Sequence, residues 1–203
     1  MKKIIILILF SFPLSFFGQQ IDSLKVMFID AFTNQDTNIY FISEEISNYY
    51  KHKYPDSSLY YCNYAIEFAK KNEHRDKYLK FKILKAEILA FSYQYYEALE
   101  NYNSVIRIVS NNINTVEYSK LLNKIAEVQI KAGISNDISK KYLEQSIEIS
   151  KYNKNIETEA ISYALLSKLF SKNSNFDSAF HYINKTIPLL KNSRNKILSA
   201  KIF

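Results

Sequence analysis

Apolar residues after position 20 recur at intervals of three and four, the spacing that places side chains on one face of an α-helix. One such stretch covers 78–91 and a second covers 95–109, and an Asn-rich break follows at 111–114. The chain has only two glycines and three prolines in 203 residues, which argues against a turn-dense β protein. The pattern therefore predicts helix pairs joined by short polar loops.

The helix pairs repeat along the chain at a nearly constant interval. Segments 56–66 and 177–187 are identical at five positions, and related segments lie between them at 95–106 and 139–147. Small residues occupy the same place in each unit, at spacings of 40, 41 and 40: Ser58, Ala98, Ser139 and Ala179. Because two helices approach closely only where side chains are small, we expect these four to be buried at helix crossings.

Several residues mark expected helix ends. Asp56, Asp137 and Asp177 stand at or near the starts of second helices, where a carboxylate meets free N–H groups and the positive end of the helix dipole. Gly133 marks the turn after a first helix, since glycine tolerates a left-handed backbone. Pro188 falls inside the last second helix and is expected to kink or end it.

This organisation resembles the tetratricopeptide repeat (TPR) over roughly residues 36–203. The best match to its fingerprint is Tyr163-x2-Leu166-Ser167-x2-Phe170 followed by Ala179-x3-Ile183. The resemblance implies an all-α fold, an α-solenoid of stacked antiparallel helix hairpins in a right-handed superhelix. We expect about four hairpins and the first helix of a fifth, preceded by an N-terminal helix at 20–35. HEAT-like or armadillo-like repeats are the alternatives, because the period is near 40 rather than about 34.

The first nineteen residues have the order of a secretory signal peptide. A basic head at 1–3 precedes an apolar stretch at 4–17, and the chain turns polar after Gly18. The apolar run is shorter than the roughly 20 residues that cross a bilayer, although a retained anchor is the alternative. We therefore predict a signal peptide at 1–19 and an exported protein on the periplasmic or cell-envelope side.

The other end of the chain, 194–203, looks like the opening of a fifth unit and carries apolar Ile197, Leu198, Ile202 and Phe203. We therefore favour a piece of a longer protein. The resemblance then extends to the exported sensory regions of bacterial membrane-bound signalling proteins. A free-standing envelope-assembly or structural repeat protein is the alternative.

Catalytic chemistry has little support in the composition. One cysteine excludes a cysteine zinc cluster, and two glycines leave no material for a phosphate-binding loop. His52, His74 and His181 show no spacing that would place two ligands on one helix face. Cys62 occupies a seam position and is interpreted as a small buried hydrophobe. We predict no catalytic residue, no metal, no cofactor and no enzymatic activity.

The formal charge is +7, and +5 without Lys2 and Lys3. The lysines are scattered, so we predict no nucleic-acid partner, and contact with a membrane only through the signal peptide or a region beyond this chain.

The resemblance also implies a concave groove lined by first helices that binds a protein or peptide. Carried onto this chain, the groove residues are Tyr40, Tyr50, Lys80, Glu87, Phe91, Lys120, Asn123, Lys131, Lys168 and Lys172. Its lysines suit an acidic segment or a C-terminal carboxylate. Ser43 and Ser47 stand where the carboxylate clamp of some TPR proteins has Lys and Asn, so that particular function is not expected.

Overall fold

The structure, a computed structural model, describes residues 21–109, 113–134 and 136–192. Those residues form nine α-helices and no strand, which confirms the all-α prediction. Helix α1 covers 21–33. The others are α2 Ile39–Tyr50, α3 Pro55–Lys71, α4 Arg75–Phe91, α5 Tyr95–Val109, α6 Val116–Ala132, α7 Asn136–Tyr152, α8 Ile156–Lys172 and α9 Phe176–Asn192. The predicted signal peptide and the segment 193–203 lie outside the described residues.

The chain divides after Gln94 into two compact units. In unit 1, α2 packs on α3 and α3 packs on α4. In unit 2, each helix from α5 to α9 packs on the next, and α6 also contacts α8. Packing in sequence order is typical of stacked helical repeats. We refer to α2, α4, α6 and α8 as first helices and to α3, α5, α7 and α9 as second helices.

The core of unit 1 is built where the apolar faces of α1 to α4 meet. Ile39 and Ile46 of α2 and Cys62 of α3 have no exposed surface, and Phe81 of α4 packs in the same cluster. Phe28 attaches α1 to this core by an edge-on contact of 4.9 Å between its ring centroid and that of Tyr61. Each large side chain buried in this way stabilises the fold by about 1.5–3 kcal/mol.

The small residues that the repeat predicts are buried, as expected for helix crossings. All four are buried: Ser58, Ala98, Ser139 and Ala179. At one crossing, Ser58 Oγ donates to the carbonyl of Ser47 at 2.6 Å and Ser47 Oγ donates to the carbonyl of Ser58 at 3.1 Å. At another, Ser139 Oγ donates to Gln129 Oε1 at 2.9 Å. The hydroxyls therefore fit the narrow crossing and join the two helices.

The helix ends follow the sequence signals with one exception. Gly133 is the C-cap of α6 with φ +71°, as predicted for a left-handed turn, and Asp56 and Asp177 lie in first turns. Pro188 does not end its helix: α9 continues to Asn192. A proline removes one backbone hydrogen bond and crowds the preceding turn, and the buried side chain of Leu190 two residues later keeps the helix docked.

Candidate binding face

Two ion pairs join α4 to α2 and to the turn that follows α2. Lys80 Nζ pairs with Glu44 Oε2, and Lys51 Nζ lies 3.1 Å from Glu87 Oε2. Partly exposed pairs of this kind contribute about 0–1 kcal/mol each. Two of the predicted groove residues, Lys80 and Glu87, therefore compensate charges of their own unit.

Tyr40, another predicted groove residue, is buried in unit 1. Its hydroxyl lies 2.8 Å from Nδ1 of His74, and its ring packs edge-on against Phe68 at 5.5 Å between centroids. Burial raises the pKa of the Tyr40 hydroxyl. Tyr40 thus fills the core of unit 1, and it presents no open aromatic surface to a partner.

The remaining aromatic positions of the predicted groove in unit 1 are more open. Tyr50 is half-buried, and its ring lies 5.7 Å from Nζ of Lys25. A hydrogen bond with Tyr50 raises the pKa of Lys25, with a further contribution from Asp22. Phe91 is 47% exposed and contacts the ring of His52 edge-on at 4.5 Å. Phe91 is the groove aromatic with the most surface left for a ligand.

Asn123 in unit 2 belongs to a buried polar seam. Its Nδ2 donates to the carbonyl of Thr158 at 3.3 Å, and its Oδ1 lies 2.9 Å from Oγ of Ser162. Ser162 Oγ is also 3.0 Å from Oγ of Ser146, which donates to the carbonyl of Ser119 at 2.9 Å. These contacts join α6, α7 and α8. Helical spacing did not reveal the seam, because its serines and threonine are small enough to pass as packing residues.

The lysines of unit 2 differ in what they contact. Lys172 Nζ donates to the carbonyl of Ile130 at 2.6 Å, where it complements the negative end of α6. Lys131 pairs with Glu127 at 2.7 Å. Lys120 on α6 and Lys168 on α8 are exposed, and neither has a side-chain partner within the described ranges. These two carry the uncompensated positive charge on neighbouring first helices.

A cleft between α1 and α3 was not predicted. Its volume is about 490 Å³, and it is lined by Phe32, Tyr60, Tyr64 and Phe68 together with the charged residues Glu67 and Lys71. Phe32 and Tyr64 meet edge-on at 4.8 Å between centroids. The repeat pattern did not indicate this cleft, because α1 lies before the first repeat.

Cys62 lies on the core side of α3 with no exposed surface. Its Sγ donates to the carbonyl of Phe81 at 3.3 Å, and burial raises the pKa of the thiol to about 12. A buried neutral thiol is a poor nucleophile. This placement confirms the interpretation of Cys62 as a small hydrophobe.

Two further observations concern the described residues alone. Their histidines, cysteine and carboxylates form no group of three or more that could hold a metal ion. None of their helices is both long and apolar enough to cross a membrane.

Comparison with known proteins gives a fold but no family. No family model matches the chain, and no curated protein matches it. Among solved structures, the chain is similar to the apo form of RapI with a TM-score of 0.73 and 19% sequence identity. The match covers 90% of this chain and 51% of RapI, so the chain spans about half of that protein's length. RapI is a helical protein with TPR-like repeats, and the likeness shows that this chain has a TPR-like helical repeat fold.

Proposed function

We propose that this protein is a non-catalytic scaffold that binds an acidic protein or peptide segment on the first helices of unit 2. The observation that carries the proposal is the pair of exposed, uncompensated lysines, Lys120 and Lys168, on helices that contact each other. Lys131 adds a third exposed ammonium, partly neutralised by Glu127. Acidic side chains or a C-terminal carboxylate are the groups that such lysines recognise.

Three features favour binding at these lysines over attraction by a uniformly charged surface. In unit 1, Lys51 and Lys80 are paired with carboxylates. Lys172 is engaged with a helix end. Stacked helical repeats form a rigid surface, so a ligand that binds along it loses its own freedom but requires little rearrangement of the protein.

The test is direct titration of the chain with a fluorescein-labelled Glu-rich peptide that has a free C-terminal carboxylate. Lys120→Glu combined with Lys168→Glu should weaken binding by about tenfold or more, because two charge contacts are lost and replaced by repulsion. The control is Lys70→Glu with Lys141→Glu, which changes the net charge equally but alters exposed lysines of second helices. Equal weakening by both double variants, or no binding by the wild-type chain, would contradict the proposal.

We also propose that the protein is exported and that it serves as the sensory part of a longer signalling protein. The basic and apolar pattern of 1–19 supports export. Expression in a bacterial host with mass measurement of the periplasmic product tests it: loss of the first 18 or 19 residues is expected, and an intact cytoplasmic chain would contradict it.

An envelope-assembly or structural protein is the second candidate, favoured by the same export pattern. The coding sequence after Phe203 distinguishes the two. An apolar stretch of roughly 20 residues followed by an output domain supports the sensor, whereas a stop codon supports the structural protein.

A further inference from the structure

The cleft between α1 and α3 brings four aromatic side chains together in unit 1. Phe32 comes from α1, and Tyr60, Tyr64 and Phe68 come from α3. Phe32 is 40% exposed and Tyr60 is 58% exposed, whereas Phe68 is buried. The ring of Tyr64 makes edge-on contacts with Phe32 at 4.8 Å and with Phe28 at 5.3 Å between centroids. Packing against the core therefore fixes an aromatic surface that a ligand can reach.

The charged side chains that line the cleft are one carboxylate and one ammonium. Glu67 and Lys71 are four residues apart on α3, so they are neighbours on one face of that helix. Glu127 and Lys131 of α6 have the same order and spacing, and they form an ion pair of 2.7 Å. Among the described residues, neither Glu67 nor Lys71 forms an ion pair or a side-chain hydrogen bond. Both charges of the cleft are therefore open to a ligand.

The composition of the lining indicates the chemical class of that ligand. Gln35 and Asn63, the other polar residues of the cleft, are neutral amides, so the charges of the lining sum to zero. A ligand with one charge would be attracted by either Glu67 or Lys71 and repelled by the other. A zwitterion satisfies both, and an aromatic side chain on it can pack on the rings. The cleft volume of about 490 Å³ lies within the range of about 300–1,000 Å³ that is typical of small-molecule sites.

We propose that the cleft between α1 and α3 binds a free aromatic amino acid as its zwitterion. Glu67 accepts from the ammonium of the ligand and Lys71 donates to its carboxylate, and both are charge-assisted hydrogen bonds. The ring of the ligand packs on Tyr60 and Phe32, since aromatic rings attract one another in edge-on and offset arrangements. This site lies within unit 1 and does not depend on the acidic segment proposed for unit 2.

Tryptophan is the probe that tests the proposal. The 203-residue chain contains no tryptophan, so indole fluorescence comes from the ligand alone. The anisotropy of L-tryptophan should rise to a plateau as the chain is added. Tryptamine lacks the carboxylate and indole-3-propionate lacks the ammonium, so each should bind at least about fivefold more weakly, because each loses one charge-assisted hydrogen bond.

Single substitutions assign each contact to its residue. Glu67→Gln should weaken tryptophan binding about fivefold without weakening that of indole-3-propionate, and Lys71→Met should do the same without weakening that of tryptamine. Tyr60→Ala should weaken binding of all three indoles by about threefold or more, because a ring contact is lost. The controls are Glu45→Gln and Lys70→Met, which alter exposed residues of unit 1 outside the cleft. They should leave all three affinities unchanged.

Three results would overturn the proposal. The first is the absence of a binding plateau for tryptophan with the wild-type chain. The second is equal affinity for tryptophan and either analogue, because one of the two charges would then have no role. The third is equal weakening by Lys70→Met and Lys71→Met, which would assign the effect to the net charge of the chain. None of these results bears on the labelled acidic peptide, which tests unit 2 separately.

Discussion

At the residue scale, the crossings at Ser58 and Ser139 depend on hydroxyls that are small enough to fit and able to find an acceptor. A buried hydroxyl without an acceptor costs about 1–3 kcal/mol of folding free energy. Ser47 and Ser58 satisfy each other's helices. Ser43, one turn before Ser47 on α2, is fully buried, and its Oγ has no hydrogen-bond partner among the described residues. The hydroxyl of Ser47 therefore stabilises the fold and that of Ser43 destabilises it, although the two serines are only four residues apart.

Ser43→Ala should increase the free energy of unfolding by about 1 kcal/mol, because it removes an unsatisfied hydroxyl and leaves the methylene in place. Ser47→Ala is the matched control. It removes a hydrogen bond between α2 and α3 and should decrease the free energy of unfolding by about 1 kcal/mol. Guanidinium unfolding followed by circular dichroism measures both. A destabilising Ser43→Ala would show that this hydroxyl has an acceptor in solution.

Cys62 predicts a pH dependence of stability on the alkaline side. Burial raises the pKa of its thiol to about 12, from 9.0 in the unfolded chain. Between these values the unfolded chain loses the thiol proton while the folded chain keeps it, so ionisation favours unfolding as the pH rises. The contribution of Cys62 to stability should be complete below pH 9 and should fall by at most about 1.4 kcal/mol per pH unit above it.

The measurement is guanidinium unfolding from pH 8 to pH 11 for the wild-type chain and for Cys62→Ala. The variant loses some packing at every pH, but that loss is independent of pH. The stability difference between the two proteins should therefore narrow above pH 9. A constant difference over the whole range would show that Cys62 ionises as easily in the folded chain as in the unfolded one.

The burial of individual groove residues shows how much of the candidate binding face could be predicted from the sequence. The groove positions implied by the resemblance included Lys120 and Lys168, and both are exposed. They also included Tyr40 and Asn123, which are buried. The period of a helix fixes the direction of a side chain relative to its own axis. Whether a neighbouring helix covers that side chain depends on packing between helices, which the pattern does not contain.

At the element scale, most helix boundaries could be predicted from the sequence, because they depend on the residue types at the boundary itself. The left-handed turn at Gly133 was predicted from the residue type. The capping side chains were not predicted correctly. We expected carboxylates at the helix starts, whereas the side chain that accepts from Ser178 N–H is that of Asn175, just before α9. An N-cap lies outside the first turn, so its identity requires a helix start known to one residue.

Pro188 provides the prediction at this scale. It lies within α9 and its side chain is exposed, so replacing it removes little buried surface. Pro188→Ala should stabilise the protein by about 1–3 kcal/mol, because it restores an intrahelical hydrogen bond and relieves contact with the preceding turn. Thermal unfolding with Ile187→Ala as the neighbouring control measures it. A lower melting temperature for Pro188→Ala would show that the proline fixes a bend that packing requires.

At the scale of the whole molecule, the repeat period and the charge distribution have different sources. The period of 40 is read from small residues whose size is demanded by helix contact, so the sequence predicted the stacked fold correctly. The formal charge of +7 is a sum over residues with different surroundings. In unit 1, Lys51 and Lys80 are paired with carboxylates, whereas in unit 2 Lys120 and Lys168 are not. Only the contacts between side chains distinguish the paired lysines from the unpaired ones.

This uneven charge distribution predicts the salt dependence of binding to an acidic peptide. If Lys120 and Lys168 contact the peptide, raising the ionic strength from about 0.05 M to 0.5 M should weaken wild-type binding, because salt screens exposed charges. The variant Lys120→Glu with Lys168→Glu should show a much smaller change, since Lys131 is already paired with Glu127 and Lys172 is already hydrogen-bonded to a helix end. Fluorescence anisotropy at several salt concentrations measures the two slopes. Equal slopes would mean that the attraction comes from the net charge of the chain, and the face formed by α6 and α8 would then have no special role.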